Sequence, residues 1–382
     1  MFRYLLGVWN VGQVKFLENK FDQVDVARDG NARRQLHERV KLSLAKDWPE
    51  LSSWLALHVA DLFPKSLLEN LEKNFLDKLN YPENKYLFSA DAWHIIDDWK
   101  IYAVAQKSKY QTHWIGAPNA ISHGSLAIFW QREFELAHMD TYLSWGWAAP
   151  VPSRSRLLPF FAPHYAGKKQ KKYLPGEGKK GILLSSAARP RHLLEYPYTP
   201  DRFERYLKSQ LQLAQRLFSL SGLQVAIRTR PKDLGWDVAE LVGQLNTPEI
   251  TLEYQSGAFT DRLSMCQLHI CDNCSTTIVE SLWANHPSLF IITDDYFQVN
   301  DSARDDYNIL AQVGIFHESM EALLSHFSTI QADIESWWRD VKTQKAIGLF
   351  LKRQGQHGAG LRVWSKALTA PQSLASNTLA AR

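Results

Sequence analysis

Ser122-His123-Gly124-Ser125 sets an imidazole beside a glycine and two hydroxyls. Such a loop can bring backbone N–H groups and the imidazole close to an anion or a leaving group; it can equally be a turn capped by its histidine. Glu133, Glu135, His138 and Asp140 follow on an expected helix, where Glu135 and His138 share a face. A carboxylate near His123 could serve as general base or nucleophile, the plain alternative being a solvated helix face. Arg228 and Arg230 stand at the C-terminal edge of an expected strand, a place from which two guanidinium groups can clamp a phosphate or carboxylate. Asp233, just beyond, could bind a ribose, cap the next helix or act chemically. Asp272-Asn273-Cys274-Ser275-Thr276-Thr277 ends a strand, turns on hydroxyl residues and opens a helix that includes Glu280. Helix-start N–H groups with Ser and Thr hydroxyls form an anion cradle that fits a nucleotide's phosphate; simple N-capping is the alternative.

Two other patterns carry no chemistry. Gly176-Glu177-Gly178-Lys179-Lys180-Gly181 matches G-x-G-x-x-G, but the dinucleotide fingerprint needs a strand before it and a helix after it. Here a proline-lysine loop precedes and a strand follows, so the segment reads as a linker. Cys266, Cys271 and Cys274 have part of an iron–sulfur spacing without a fourth cysteine, and Cys271 ends an apolar strand where cysteine behaves as a small hydrophobe. No metal site and no resident cofactor is expected.

The elements that must position these groups alternate. Residues 1–80 read as mainly helical. A strand at Lys85–Ser89, a helix from Asp91 to Lys107, and strands at Thr112–Gly116 and Thr141–Ser144 give a first α/β layer. From Pro150 to Gly181 prolines crowd together and Lys168, Lys169, Lys171, Lys172, Lys179 and Lys180 form a basic run, which marks a boundary. Beyond it, strands at 181–185, 224–228, 250–253, 268–271 and 288–292 alternate with helices at 200–220, 236–245, 261–265 and 276–284, the signature of a doubly wound parallel sheet. Ser319–Phe327 and a long helix from Ile330 to about Gln354 close the fold, and periodicity fades after Gly358.

Composition narrows the class. The chain has 382 residues with a net charge of +4, too weak a balance over this length to argue nucleic-acid binding. Neither a run long enough to span a bilayer nor a signal-peptide pattern is found, which gives the expectation of a cytoplasmic protein. Three cysteines do not suggest a disulfide framework. Many of the 14 tryptophans, among them Trp93, Trp99, Trp114, Trp130, Trp145 and Trp147, sit in polar surroundings that suit stacking sites or half-buried anchors.

Taken in order, several segments resemble a family of bacterial surface-carbohydrate transferases of GT-B type, similar in architecture to transferases of Kdo and other nonulosonates. They are Tyr86–Ala105, the His-Gly loop at 122–125, Glu135–Trp147, Ile227–Trp236, Asp261–Pro287, Tyr307–Ser319 and Ile334–Trp338. The loop departs from the family's Gln-His-Gly-Gly pattern, and Arg230-Pro231 stands where sialyltransferase-like relatives have His-Pro. The resemblance implies an α/β fold of two Rossmann-like halves with a cleft, the first reduced, plus C-terminal helices. The corresponding division is 1–160 for the acceptor side, 161–180 for a basic linker, 181–358 for the nucleotide-sugar half and 359–382 for a flexible tail. It implies a nucleotide-sugar donor and a glycan or lipid-linked acceptor; the lysine run reads as a solvated loop or as a peripheral contact with an acidic glycan or the anionic surface of the inner membrane. Asn273, Ser275, Thr276 and Thr277 would hold the donor's phosphate, Arg228 and Arg230 neutralise it or a sugar carboxylate, and Glu280 bind ribose or orient the loop. His123, within Ser122, Gly124 and Ser125, would stabilise departing charge, with Glu135, Asp140 or Asp233 as the acting carboxylate. Glycerol-phosphate transfer on the same fold and a degenerate binding protein are the competing readings.

Overall fold

The computed structural model describes residues 27–147, 153–162, 170–173, 180–187, 199–229, 234–254, 257–293, 296–355 and 361–371. Arg230, Asp233, Lys168, Lys169, Lys179 and the glycines at 176 and 178 lie outside the described residues. The chain opens with helices α1 (Gly30–Leu44), α2 (Ser52–Leu62), α3 (Lys65–Leu68) and α4 (Leu71–Leu79). The first layer follows as β1 (Tyr86–Ser89), α5 (Ala92–Ile95), α6 (Asp97–Tyr110), β2 (His113–Gly116), α7 (Ser122–Ser125), α8 (Trp130–His138), β3 (Thr141–Ser144) and β4 (Arg156–Pro159). The second comprises β5 (Ile182–Ser185), α9 (Pro200–Ser221), β6 (Val225–Thr229), α10 (Val238–Gly243), β7 (Ile250–Tyr254), α11 (Phe259–Leu263), β8 (Leu268–Cys271), α12 (Thr276–Trp283), β9 (Ser288–Ile291), α13 (Asp301–Ala311), β10 (Phe316–His317) and α14 (Met320–Ile330). It closes with α15 (Ile334–Arg339), α16 (Val341–Phe350), a π turn at Leu351–Gly355 and α17 (Leu361–Thr369).

The chain forms two compact units. One unit holds Met1–Gly116 with Met139–Thr141, and the other holds Ala117–His138 with Tyr142–Arg382. Proline and lysine content marked a change of composition, whereas compactness follows which elements share a core. In the first unit β1 and β2 pair in parallel, Tyr86 opposite His113 and Ser89 opposite Gly116. Buried Arg33 on α1 bonds Glu69 Oε1 at 2.6 Å and the carbonyl of Phe63 at 3.0 Å, which ties α1 to the end of α2. Lys78 on α4 pairs with Asp98 on α6 at 3.2 Å.

The strand orders are β1-β2-β3-β4 and β10-β9-β8-β5-β6-β7. Every pair in the six-stranded sheet is parallel. Counted from β5, this is the 3-2-1-4-5-6 order of a doubly wound sheet. Central strands β5, β8 and β9 are buried along their whole length, as both faces of such a sheet demand. On one face Ile182, Leu184, Ile270 and Leu289 pack with Leu213 and Leu217 of α9 and Leu323 and Phe327 of α14. On the other, Leu183 packs with Leu263 and Cys266. Each such side chain contributes about 1.5–3 kcal/mol through burial. α9 starts at Pro200, whose ring presets the helical φ, buries Phe203, Tyr206, Leu207, Gln210, Leu213, Ala214 and Leu217 at helical spacing, and stops at Gly222 with φ +67°.

Three expectations are corrected. The long helix from Ile330 is broken: Asp333 accepts from Ser336 N at 2.9 Å and Asp340 from Lys342 N at 2.8 Å, so each aspartate caps a new start. Residues 359–382 are not simply a tail, because α17 buries Trp364 completely, with its ring 4.8 Å from Phe160. Trp364, Ala367 and Leu368 form its apolar stripe, too short a repeat to stand out after glycine-rich residues. Trp93, Trp99, Trp145 and Trp147 are core residues, while Trp130 is exposed. No described helix is long and apolar enough to cross a membrane. Trp364→Ala should cost about 3–5 kcal/mol in urea unfolding; wild-type stability would show that α17 does not pack.

Candidate active site

In an open parallel sheet the crevice for ligands lies at the carboxyl ends of the strands, where the order reverses. Here that point falls between β5 and β8. The chain leaves β5 through Ser185 and Ser186 and leaves β8 through Asp272 and Asn273. Asp272 N donates to Ser185 O at 3.3 Å and Asn273 Nδ2 to the same carbonyl at 3.2 Å, so the two exits are laced together. Asp272 is buried, which pushes its carboxyl up, while four donors oppose that shift: Tyr206 Oη at 2.6 Å, Gln210 Nε2 at 2.9 Å, Asn273 Nδ2 at 3.2 Å and Ser186 Oγ at 3.3 Å.

α12 begins immediately after. Its N-cap Ser275 is extended and makes no side-chain capping bond. The Ser275 hydroxyl lies 2.6 Å from Thr277 Oγ1, and Cys271 Sγ lies 3.2 Å from that same oxygen. Ser275, Thr276 and Thr277 are half-buried, so this entrance is not sealed by packed side chains. Half-buried Glu280 is pushed up by burial, with the Thr276 hydroxyl opposing. Burial holds Cys271 up at about 11 and Cys274 at about 12, which keeps both as thiols.

The His-Gly loop belongs to the same unit and is fastened to it at several points. Ala127 N donates to Gln298 O and Asn300 N to Ser125 O, each at 2.8 Å, around an antiparallel bridge between Leu126 and Val299. The Asn300 side chain donates to Gly124 O. Tyr307 donates to Ser125 Oγ at 2.9 Å, and its hydroxyl is 3.7 Å from Cys274 Sγ. Through Tyr307 the loop at 122–125 therefore reaches the turn at 272–277. Fully buried Arg132 donates to the carbonyls of His123 at 3.2 Å, Ala127 at 3.0 Å and Leu126. A Cβ at Gly124 would stand 2.3 Å from the Trp147 indole, which explains the glycine.

His123 and Glu135 meet, Nε2 to Oε2, at 3.6 Å, and both are fully buried. Burial, then the neighbouring Glu135 carboxylate, pushes the Tyr142 hydroxyl far up. The pair can hold or pass a proton between them, but neither presents surface to a ligand in this arrangement. Ser122, Gly124 and Ser125 are buried as well.

The remaining expected residues are placed differently. Asp140 belongs to the first unit, where Lys107 Nζ lies 2.7 Å from Oδ2 and Trp114 N donates to it at 2.7 Å. Arg228 is buried against Glu253, which Arg262 Nε also reaches at 2.6 Å. Arg132, Asn300, Tyr307, Tyr206, Gln210 and Asp272 escaped the sequence reading of the site. Only Asp272 carried a signal, as an acid at the end of a strand inside the segment already singled out. Arg132→Met strips the carbonyls of His123, Leu126 and Ala127 of their donor, and each acceptor left unsatisfied should cost about 1–3 kcal/mol in chemical unfolding. Gly124→Ala should cost about 1–3 kcal/mol through overpacking against Trp147; Trp147→Gly in the same chain should relieve that clash, and a Gly124→Ala chain as stable as the wild type would rule the packing out.

No curated protein matches the chain. Among solved structures, MurG of Acinetobacter baumannii is similar with a TM-score of 0.41 at 12% identity, covering 80% of this chain and 78% of that one. TarM gives 0.47 at 9%, covering 79% and 58%. The pneumococcal O-GlcNAc transferase GtfA, solved with UDP and GlcNAc, gives 0.47 at 12%, covering 79% and 60%. The chain thus spans less than two thirds of the latter two. Likeness at this level leaves donor and acceptor open. A family model described as LIC12162 family transferase matches residues 2–368. The chain belongs to the LIC12162 transferase family.

Proposed function

We propose that this transferase is a nucleotide-sugar-dependent glycosyltransferase of GT-B-like organisation. Its donor would be a CMP-linked keto-sugar acid, Kdo or another nonulosonate, and its acceptor a surface polysaccharide, lipopolysaccharide or related glycan. One observation carries this reading: the order of the parallel sheet reverses at β5 and β8, and the half-buried hydroxyl entrance of α12 opens directly from that point.

In this reading the donor's phosphate lies at Ser275, Thr276 and Thr277, where the helix end is worth roughly 0.3–1 kcal/mol and up to about 2 when partly buried. Asn273 fixes the turn, and Glu280 accepts from a ribose hydroxyl. Arg228 stays paired to Glu253, which leaves neutralisation of the phosphate to Arg230. The acceptor oxygen attacks the anomeric carbon as the bond from that carbon to the phosphate oxygen breaks. The nucleoside monophosphate leaves with the bonding pair. The acceptor's proton passes to a carboxylate. Glu135, the acid that faces a histidine, takes that role once the 122–127 loop opens, with His123 stabilising its charge; Asp140 stays with Lys107 and Asp233 serves the ribose side.

Complete burial of His123 and Glu135 favours a second reading, a protein that binds nucleotide or glycan without turnover. Calorimetry with CMP, CDP and UDP, followed by a turnover panel of CMP-Kdo, CDP-glycerol and UDP-sugars, separates these. The wild type should bind CMP, and Ser275→Ala with Thr276→Ala should weaken it at least tenfold, about 1.4 kcal/mol, at an unchanged Tm. Unchanged affinity sinks the phosphate cradle. Turnover of CDP-glycerol alone supports glycerol-phosphate transfer, and binding without any turnover supports the second reading.

A further inference from the structure

The network around Asp272 contains a complete set of matched donors and acceptors. Tyr206 Oη donates to Asp272 Oδ1 at 2.6 Å and accepts from Ala187 N at 2.7 Å and Gln210 Nε2 at 3.0 Å. The other Gln210 amide hydrogen goes to Asp272 Oδ2 at 2.9 Å. Ser186 Oγ and Asn273 Nδ2 supply the remaining donors. Each partner of the carboxylate donates in this arrangement, and its ionised, acceptor-only form satisfies all of them. Ser186 and Ala187 leave β5, Asp272 and Asn273 leave β8, and Tyr206 and Gln210 come from one face of α9, four residues apart. Three elements that share no local sequence are thereby locked at the point where the strand order reverses.

A buried carboxylate three residues before Ser275 would by itself repel a phosphate. Its charge is spread over four hydrogen bonds, and burying it costs free energy that an apolar residue would not. Core stability alone does not call for a carboxylate there. We propose that Asp272, held by Tyr206 and Gln210, is a positioning residue that presets the two exits of the crevice for the nucleotide of the donor. This rests on the reading that the α12 entrance takes that nucleotide. Asp272 itself does not touch the ligand; it fixes Asn273 and the turn into Ser275 on one side and the Ser186–Ala187 backbone on the other.

Asp272→Asn turns an amide donor toward Gln210 Nε2, and Gln210→Glu alone sets two carboxylates face to face. The two substitutions together restore one donor facing one acceptor at that contact and keep the net charge, while Tyr206 loses the bond it accepts from Gln210. Full-length wild type, Asp272→Asn, Gln210→Glu, the double variant and Tyr206→Phe would be titrated calorimetrically with CMP and with UDP, and their Tm measured alongside. Expected is at least a tenfold loss of affinity in each single variant and a double variant that binds at least threefold tighter than either Asp272→Asn or Gln210→Glu alone. Single variants with lowered Tm but wild-type affinity would overturn the proposal, as would a double variant that regains Tm without regaining affinity. A wild type that binds neither nucleotide overturns the donor reading itself and this inference with it, and is told apart because it appears before any substitution is made.

Discussion

The arrangement depends on one topological constraint. The strand order carries the chain from β5 toward β7 on one side and from β8 toward β10 on the other, so β5 and β8 lie side by side with their following segments leaving in opposite directions. In open parallel sheets of this order the crevice for ligands lies there. In this protein it is bordered by hydroxyls, a buried carboxylate and the start of α12, and parallel strands buried on both faces keep it rigid. A bound anion would meet oriented N–H groups that need no reorganisation.

The loop at 122–127 is held to that frame by polar contacts where an apolar core would be the simpler solution. Arg132 collects its carbonyls, Asn300 closes its end, and Tyr307 links Ser125 to Cys274. Polar fastening of this kind is directional: each bond specifies one geometry, whereas methyl groups would tolerate several. It also places a cation, a carboxylate and an imidazole in one dry space, where charges act on each other strongly because water does not screen them. The far-raised hydroxyl of Tyr142 beside Glu135 is one consequence.

Two carboxylates read as alike in the sequence have separate work. Glu135 is sealed beside His123, whereas Asp140, five residues on, fastens β2 to α6 through Trp114 N and Lys107. Arg228 shows the same divergence. A guanidinium at a strand end suits an anion clamp, yet Glu253 on the neighbouring strand stands directly opposite it in register and takes the charge.

The sequence by itself determined what depends on local pattern. The alternation of strands and helices from Gly181 onward, the start of α9 at Pro200 and the opening of α12 at Thr276 follow from apolar spacing, proline and hydroxyl residues, which act within a few positions of themselves. Only the tertiary structure decided the partners. That Glu253 would claim Arg228, that Trp147 would demand Gly124, that α17 would bury Trp364 and that Tyr206, Gln210 and Asp272 would meet all depend on residues tens of positions apart. Chain spacing says nothing of such distances, because the strand order that brings these residues together is set by the packing of whole elements.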